Sequence, residues 1–99
     1  MVCTLGRVIL AELEDVLRSR RNADPAVSYT ARLLADPELT QRKIMEEAFE
    51  VCLELARPET QRDQTAAEAA DLLYHLMVGL VSVNVSLDEV LAVLEERNS

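Results

Sequence analysis

An all-α fold, built from four main helices and one short helix, is predicted by three features of this 99-residue sequence. Hydrophobic residues make up 49% of the chain, which is too many for a disordered polypeptide. Only two Gly and three Pro interrupt it. Apolar residues recur at helical spacing, and no segment shows the alternation of a strand. The length corresponds to one domain over residues 1–99 with a single modest core.

The first two helices are bounded by recognisable breaks. An i, i+4, i+8 apolar stripe predicts a helix over about residues 5–21. The sequence Asn-Ala-Asp-Pro at residues 22–25 ends it. A short helix follows over residues 29–35, and Ser28 has the hydroxyl side chain preferred at an N-cap.

The remaining three helices also have clear start signals. Asp36 is a suitable cap and Pro37 fits a first helical position, so a helix is predicted over about residues 38–56. The next runs from about residues 60–65 to residue 83. Residues 86–89, Ser-Leu-Asp-Glu, match a capping box that opens the last helix.

The two longest predicted helices carry broad apolar stripes. Gly79 lies in the middle of the second of them, where Gly costs about 1 kcal/mol relative to Ala, so we expect a close helix crossing there. The helix that contains Gly79 and the last helix, from residue 86, are so apolar that a single chain would cover them poorly, and we therefore expect a homodimer that completes the bundle. The predicted apolar faces comprise Ile44, Ala48, Val51, Cys52 and Leu55 on the first helix, and Ala69, Leu72, Leu73, Leu76, Leu80 and Val83 on the second.

Charge and apolar segment length argue against two classes of partner. The net charge is −8, and an acidic chain repels phosphate backbones, so we expect no nucleic-acid binding. The most apolar stretch covers residues 72–85, which is shorter than the roughly 20 residues of a membrane span. We therefore expect no membrane partner. Cys3 and Cys52 lack a zinc-binding spacing, and we expect a reducing, cytoplasmic setting with one of the two buried.

Acidic side chains occur in pairs at the borders of the apolar stripes. Glu47 and Glu50 are spaced i, i+3 on one predicted helix, and Glu68 and Asp71 repeat this spacing on the next. If the helices pack by their stripes, the four carboxylates face one another and repel unless they are protonated or bridged by a cation. Oxygen-only ligands suit Mg²⁺ or Mn²⁺. Solvated, helix-favouring glutamates would give the same pattern, and spacing alone leaves both interpretations open.

Four segments resemble the phosphoribosyl-ATP pyrophosphohydrolase family, within the wider MazG-like superfamily of all-α nucleoside-triphosphate pyrophosphohydrolases. They are SYTARLL (28–34), KIMEEAFEV (43–51), EAADLLYHLMV (68–78) and SLDEVLAVLEER (86–97). The resemblance implies a MazG-like helical bundle. It also implies hydrolysis of phosphoribosyl-ATP to phosphoribosyl-AMP and pyrophosphate, the second step of histidine biosynthesis.

The resemblance also assigns expected roles. It implies Mg²⁺ as cofactor, and Mn²⁺ is the expected substitute. Independently of the resemblance, His75 follows the pair Glu68 and Asp71 by one turn, and because Mg²⁺ prefers oxygen ligands we expect an orienting histidine that is hydrogen-bonded to a carboxylate. The expected residues are the metal ligands Glu47, Glu50, Glu68 and Asp71, the catalytic residues Glu46 and Glu47, and the substrate contacts Lys43, Arg32, Thr30 and Tyr29.

Two other functions are compatible with the residue pattern. One is a housecleaning hydrolase of the same superfamily, which would act on a deoxynucleoside triphosphate or a damaged nucleoside triphosphate. The other is a non-catalytic helical interaction module in which the acidic residues are merely solvated. Turnover of phosphoribosyl-ATP, of plain triphosphates, or of neither distinguishes the three.

Overall fold

The computed structural model describes the backbone of residues 2–98 and the side chains of residues 8–98. Within these residues it contains five α-helices and no strand. The predicted all-α fold, with four main helices and one short helix, is confirmed. The helices are α1 (Val2–Ser19), α2 (Tyr29–Leu34), α3 (Pro37–Leu55), α4 (Arg62–Ser82) and α5 (Leu87–Arg97).

The boundaries of α1 differ most from the prediction. The helix begins at Val2 and ends at Ser19, two residues before Arg21. The backbone amides of Arg20 and Arg21 donate to carbonyls three residues earlier, which is the tighter 3₁₀ pattern common at helix ends. The Ser19 hydroxyl donates to the Val16 carbonyl. Local hydrogen bonds therefore close the last turn before the helical pattern of the sequence is exhausted.

Three predicted helix caps are present. Ser28 and Asp36 each accept a hydrogen bond from the backbone amide three residues ahead, at 3.1 Å in both cases. Pro37 occupies the first turn of α3, where its missing N–H costs nothing. Ser86 and Glu89 form the reciprocal capping box of α5. These caps fix the starts of α2, α3 and α5.

The core lies where the C-terminal half of α4 meets α1 and α2. Its buried members come from these three helices, and partly buried side chains that include Tyr74 pack around them. Burial of these apolar side chains is the main contribution holding the helices together. The buried core residues are Leu17, Leu33, Met77, Val78 and Val81.

Helices α3 and α4 pack closely and run antiparallel. A Cβ atom added at Gly79 would lie 3.1 Å from Ile44 Cδ1, which confirms a close helix crossing at this glycine. Nearer the C-terminus of α3, Glu50 lies within hydrogen-bonding reach of Glu68. Contacts thus move towards the start of α4 as they move towards the end of α3, which defines the antiparallel arrangement.

The predicted apolar faces are wrong in part. On α3, Cys52 and Leu55 are exposed, so the described cysteine is not the buried one that we expected. The side chain of Cys3 lies outside the described residues. Helices α3 and α4 each carry apolar residues on more than one side, and periodicity alone does not select the side that packs within one chain. Three predicted α4 face residues are 42–65% exposed, namely Leu73, Leu76 and Val83.

No single described helix combines the length and apolar character that a membrane crossing requires. Helices α4 and α5 pass such a test only when they are taken together, and they are bent by 111° relative to each other.

Candidate active site

Three carboxylates meet between α3 and α4. Glu47, Glu50 and Glu68 each offer one oxygen, and these three oxygens lie within 4.8 Å of one another. The i, i+3 spacing places the first two on one side of α3, and the antiparallel crossing brings Glu68 of α4 opposite them. The structure therefore brings together three of the four residues whose convergence the sequence predicted. We refer to these three residues as the acidic cluster.

Asp71, the fourth predicted ligand, lies outside the acidic cluster. Its side chain is exposed. Its negative charge nevertheless acts on Glu68, one turn earlier on α4, and contributes to a raised pKa of that residue. Asp71 is thus a close but exposed neighbour of the cluster.

Glu47 is the most unusual member of the acidic cluster. Its residue is only 9% exposed, and its Oε2 atom is the one buried polar side-chain atom without a hydrogen-bond partner among the side chains that the structure describes. Glu54, the other buried glutamate, receives hydrogen bonds from Arg57 at 2.8 and 3.3 Å. A buried, unpaired carboxylate oxygen costs free energy unless a proton or cation meets it. Glu47 therefore lacks the compensating partner that Arg57 provides for Glu54.

The electrostatics of the acidic cluster favour a proton on Glu68. A hydrogen bond with Glu50 is the largest cause that raises the pKa of Glu68, to about 7. Partial burial and the charges of Glu50, Asp71 and Glu47 act in the same direction. Crowded carboxylates share a proton when no cation is present, and a divalent cation would replace that proton. An oxygen-only donor set of this kind suits Mg²⁺ or Mn²⁺.

Lys43 and Glu46 form an ion pair on α3 beside the cluster. Lys43 Nζ lies 3.4 Å from Glu46 Oε1, and this hydrogen bond is the main reason that the pKa of Lys43 is raised. Glu46 is exposed and does not join the acidic cluster. The pair supplies one cation and one carboxylate that remain accessible near Glu47.

His75 is buried and makes two hydrogen bonds, one within α4 and one that connects α4 to α2. Its Nδ1 atom lies 2.8 Å from the backbone carbonyl of Asp71, and its Nε2 atom lies 2.9 Å from the hydroxyl of Tyr29. A link to a carboxylate was one expectation for this histidine, but its partners are a main-chain carbonyl and a phenol. The predicted orienting role has a concrete target, the Tyr29 hydroxyl.

The three predicted substrate contacts on α2, Tyr29, Thr30 and Arg32, each contact an aromatic side chain. The rings of Tyr29 and Tyr74 are stacked, with centroids 6.3 Å apart and an angle of 16°. The Arg32 guanidinium lies over the Tyr29 ring, 5.5 Å from its centroid. The hydroxyls of Thr30 and Tyr74 share a hydrogen bond. Partial burial is the largest of the effects that raise the pKa of Tyr29, so its phenol keeps its proton.

Comparisons with known proteins decide the family. The family model described as phosphoribosyl-ATP pyrophosphohydrolase matches residues 10–98. The chain belongs to this family. It is 47% identical over 90 residues to the phosphoribosyl-ATP pyrophosphatase of Cereibacter sphaeroides, a match that covers 90% of this chain and 85% of that protein. The same enzyme of Dinoroseobacter shibae is 47% identical, with 90% and 86% covered, and that of Caulobacter vibrioides is 44% identical, with 90% and 81% covered.

One contact of this site was not predicted from the sequence. Tyr74 lies off the predicted apolar stripe of its helix, where packing or a subunit contact is expected; it does pack against the core, but its hydrogen bond with Thr30 was not predicted. The shortness of α2 was the signal that could have indicated this contact. A six-residue helix needs tertiary contacts to persist, and the nearest long helix offers Tyr74 and His75 in sequence.

Proposed function

We propose that this family member hydrolyses phosphoribosyl-ATP to phosphoribosyl-AMP and pyrophosphate, with a divalent cation held by the acidic cluster. Family membership supports the reaction and the histidine-biosynthesis step. The unpartnered, buried oxygen of Glu47 beside two further carboxylates carries the cation-binding part of the proposal. We also place the activity in the cytoplasm, where the free thiol of Cys52 stays reduced.

Glu47, Glu50 and Glu68 are the proposed metal ligands, and Asp71 is proposed to join them by a change of side-chain rotamer. Mg²⁺ is the expected ion, and Mn²⁺ is its expected substitute. When bound, such an ion neutralises charge on the phosphate chain and lowers the pKa of a coordinated water. Without it, Glu50 and Glu68 share a hydrogen bond that a cation would displace.

The accessible side chains around the acidic cluster are proposed to position the substrate. Lys43 and Arg32 provide positive charge for phosphate oxygens, and Thr30 and Tyr29 provide hydroxyl groups. Arg32 is already held over the Tyr29 ring, and Lys43 is already held by Glu46. These contacts reduce the side-chain entropy that binding would otherwise cost.

Water activation is assigned to Glu46 and Glu47. Pyrophosphate release requires a water molecule in line with the phosphorus and a base that accepts its proton. Glu47 lies within the acidic cluster, and the neighbouring Glu46 carboxylate is exposed. No protein nucleophile is needed, because water attacks the phosphorus directly.

The proposed reaction is tested by measuring Mg²⁺-dependent pyrophosphate release from phosphoribosyl-ATP, ATP and deoxynucleoside triphosphates in parallel. We expect turnover of phosphoribosyl-ATP and a hundredfold or greater preference for it over the plain triphosphates, about 2.7 kcal/mol of discrimination. Equal or exclusive turnover of plain triphosphates would replace the proposal with a housecleaning activity. Absence of all turnover would indicate a non-catalytic helical module.

We further propose that a second copy of the chain covers the open apolar residues of α3 and α4. Met45, Phe49 and Leu53 form a row at i, i+4, i+8 spacing on α3 and are 53–64% exposed. Leu73 and Leu76 on α4 are 49% and 42% exposed. Pairing of these surfaces about a two-fold axis would bury both rows and complete a four-helix arrangement.

Sedimentation equilibrium tests the proposed homodimer. We expect the unsubstituted chain to sediment as a dimer and Leu53→Glu to shift it towards the monomer, because a charge would be buried in the interface. Val27→Glu is the matched control, since Val27 is 83% exposed and lies outside α3 and α4. A monomeric unsubstituted chain, or a dimer unaffected by Leu53→Glu, would contradict this interface.

A further inference from the structure

The Tyr29–His75 pair has a defined hydrogen-bond direction. A backbone carbonyl can only accept, so the bond between His75 Nδ1 and the Asp71 carbonyl requires the proton to be on Nδ1. In a neutral imidazole the other nitrogen, Nε2, is then an acceptor. The Tyr29 hydroxyl therefore donates its proton to Nε2.

The imidazole is held firmly enough to impose this direction. His75 is 7% exposed, and the Tyr29 and Tyr74 rings contact it edge-on, with centroids 5.9 and 5.0 Å away. The ring cannot turn over without losing both of its hydrogen bonds. Tyr29, by contrast, is 41% exposed and lies close enough to Lys43 and Glu47 to sense their charges. Its hydroxyl thus joins a fixed interior partner to an open site.

A tyrosine hydroxyl that donates its hydrogen bond to histidine can only accept further hydrogen bonds, through its oxygen lone pairs. Such an oxygen can accept from an O–H or N–H group but cannot bind an unprotonated phosphate oxygen, which has no proton to give. Phosphoribosyl-ATP carries such donors on its sugar and base portions only. The direction of one internal hydrogen bond therefore restricts which part of the substrate Tyr29 can recognise.

We infer that the Tyr29 oxygen accepts a hydrogen bond from an O–H or N–H group of the ribosyl-purine part of the substrate, and that His75 is the positioning residue that fixes this oxygen. The inference rests on the proposed function, because it names a substrate contact within the same site. It assigns the triphosphate to Lys43, Arg32 and a cation held by the acidic cluster, and the O–H and N–H groups of the ribosyl-purine part to Tyr29.

Steady-state kinetics of four variants test the inference. Tyr29→Phe removes the hydroxyl, and His75→Asn keeps a donor for the Asp71 carbonyl while removing the acceptor for Tyr29. We expect each to raise KM for phosphoribosyl-ATP about two- to tenfold with a smaller change in kcat. The double variant should be no worse than the worse single variant, because both remove one interaction. His75→Gln, whose amide oxygen can replace Nε2, should restore part of the loss.

Unchanged KM in Tyr29→Phe, additive losses in the double variant, or no difference between His75→Gln and His75→Asn would each overturn the inference in an otherwise active enzyme. If the unsubstituted chain does not turn over phosphoribosyl-ATP, the proposed function fails and the inference fails with it.

Substrate made from 2′-deoxy-ATP identifies the substrate group that donates to Tyr29. If Tyr29→Phe has no further effect with it, the donor is that 2′-hydroxyl, and a persisting effect assigns another donor. Both results support the inference.

Nitrogen-15 NMR provides a readout that does not depend on turnover or on a buried substitution. His75 is the single histidine of the chain, so its two ring nitrogens give unambiguous signals. We expect a protonated Nδ1 and an unprotonated Nε2, and a change of the Nε2 signal in Tyr29→Phe. A protonated Nε2 with an unprotonated Nδ1, or an Nε2 signal that Tyr29→Phe leaves unchanged, would overturn the inference.

Discussion

At the residue scale, the decisive contrast is between two buried glutamates on one helix. Glu54 is neutralised by Arg57 at 2.8 Å, and its burial is thereby compensated. Glu47 is equally buried, but one of its oxygens has no partner and its neighbours include two further carboxylates. Such an arrangement lowers the stability of the metal-free protein, because each added negative charge opposes the others. The metal-free protein is thus less stable at the place where we propose that a cation binds.

Glu47→Gln tests this trade-off. We expect kcat to fall more than about 100-fold, because a ligand is lost at the reacting centre, while metal-free thermal stability is preserved or raised by the relief of repulsion. Glu59→Gln is the matched control, since it removes one negative charge from an exposed position outside the acidic cluster. Unchanged turnover in Glu47→Gln would remove this residue from the site.

The raised pKa of Glu68 predicts a pH dependence of metal-free stability. The folded chain binds the Glu68 proton up to about pH 7, whereas an ordinary glutamate loses it near pH 4.5. The stabilisation is therefore complete below about pH 4.5 and is lost as the pH rises through about 7. Urea midpoints measured in EDTA between pH 5 and 8 should fall with pH, and Glu68→Gln should flatten the curve. If the midpoint of the unsubstituted chain rises with pH across this window, and Glu68→Gln removes that rise, the assignment of the raised pKa to Glu68 is contradicted.

At the element scale, the starts of α2, α3 and α5 were predictable, and the buried faces of α3 and α4 were predictable only in part. The caps at Ser28, Asp36 and Ser86 depend on residues within one turn, so local sequence contains all the necessary information. Which side of α3 or α4 is covered depends on partners that local sequence does not specify. Leu73 and Leu76 continue a valid apolar stripe, yet the core uses Met77, Val78 and Val81 instead.

The α3–α4 crossing yields a stability prediction. Gly79→Leu should lower the free energy of unfolding by about 1–3 kcal/mol, because even a Cβ atom there lies 3.1 Å from Ile44 Cδ1 and a larger side chain overpacks the contact. Gly6→Leu is the matched control, since an added Cβ at Gly6 meets nothing within 4 Å. Chemical denaturation measures both. Equal effects of the two substitutions would show that the crossing is looser than described.

At the scale of the whole molecule, one of the two long-range contacts of the site could be predicted from the sequence and the other could not. Convergence of Glu47, Glu50 and Glu68 follows from two helices that pack through adjacent stripes, and spacing anticipated it. The link between Tyr29 and His75 joins residues 46 positions apart through a six-residue helix. Nothing in either segment alone specifies that docking, because it depends on how the short helix settles against α4.

Metal binding should stabilise the whole fold, since the acidic cluster exists only when α3 and α4 are packed. A ligand that binds only the folded state at 100 times its Kd contributes about 2.7 kcal/mol. For a domain of this size, that corresponds to a rise in Tm of about 10 °C or more. Calorimetric scans with Mg²⁺ and with EDTA measure this difference. Coincident transitions under the two conditions would argue against a folded-state metal site.

Titration of the protein with Mn²⁺, followed by electron paramagnetic resonance, tests most directly whether α3 and α4 bring carboxylates together around a shared cation. Saturable binding is expected for the unsubstituted chain and for Glu59→Gln, with binding weakened at least tenfold in Glu47→Gln. The account is contradicted if the unsubstituted chain shows no saturable binding, or if Glu47→Gln binds Mn²⁺ as tightly as Glu59→Gln does.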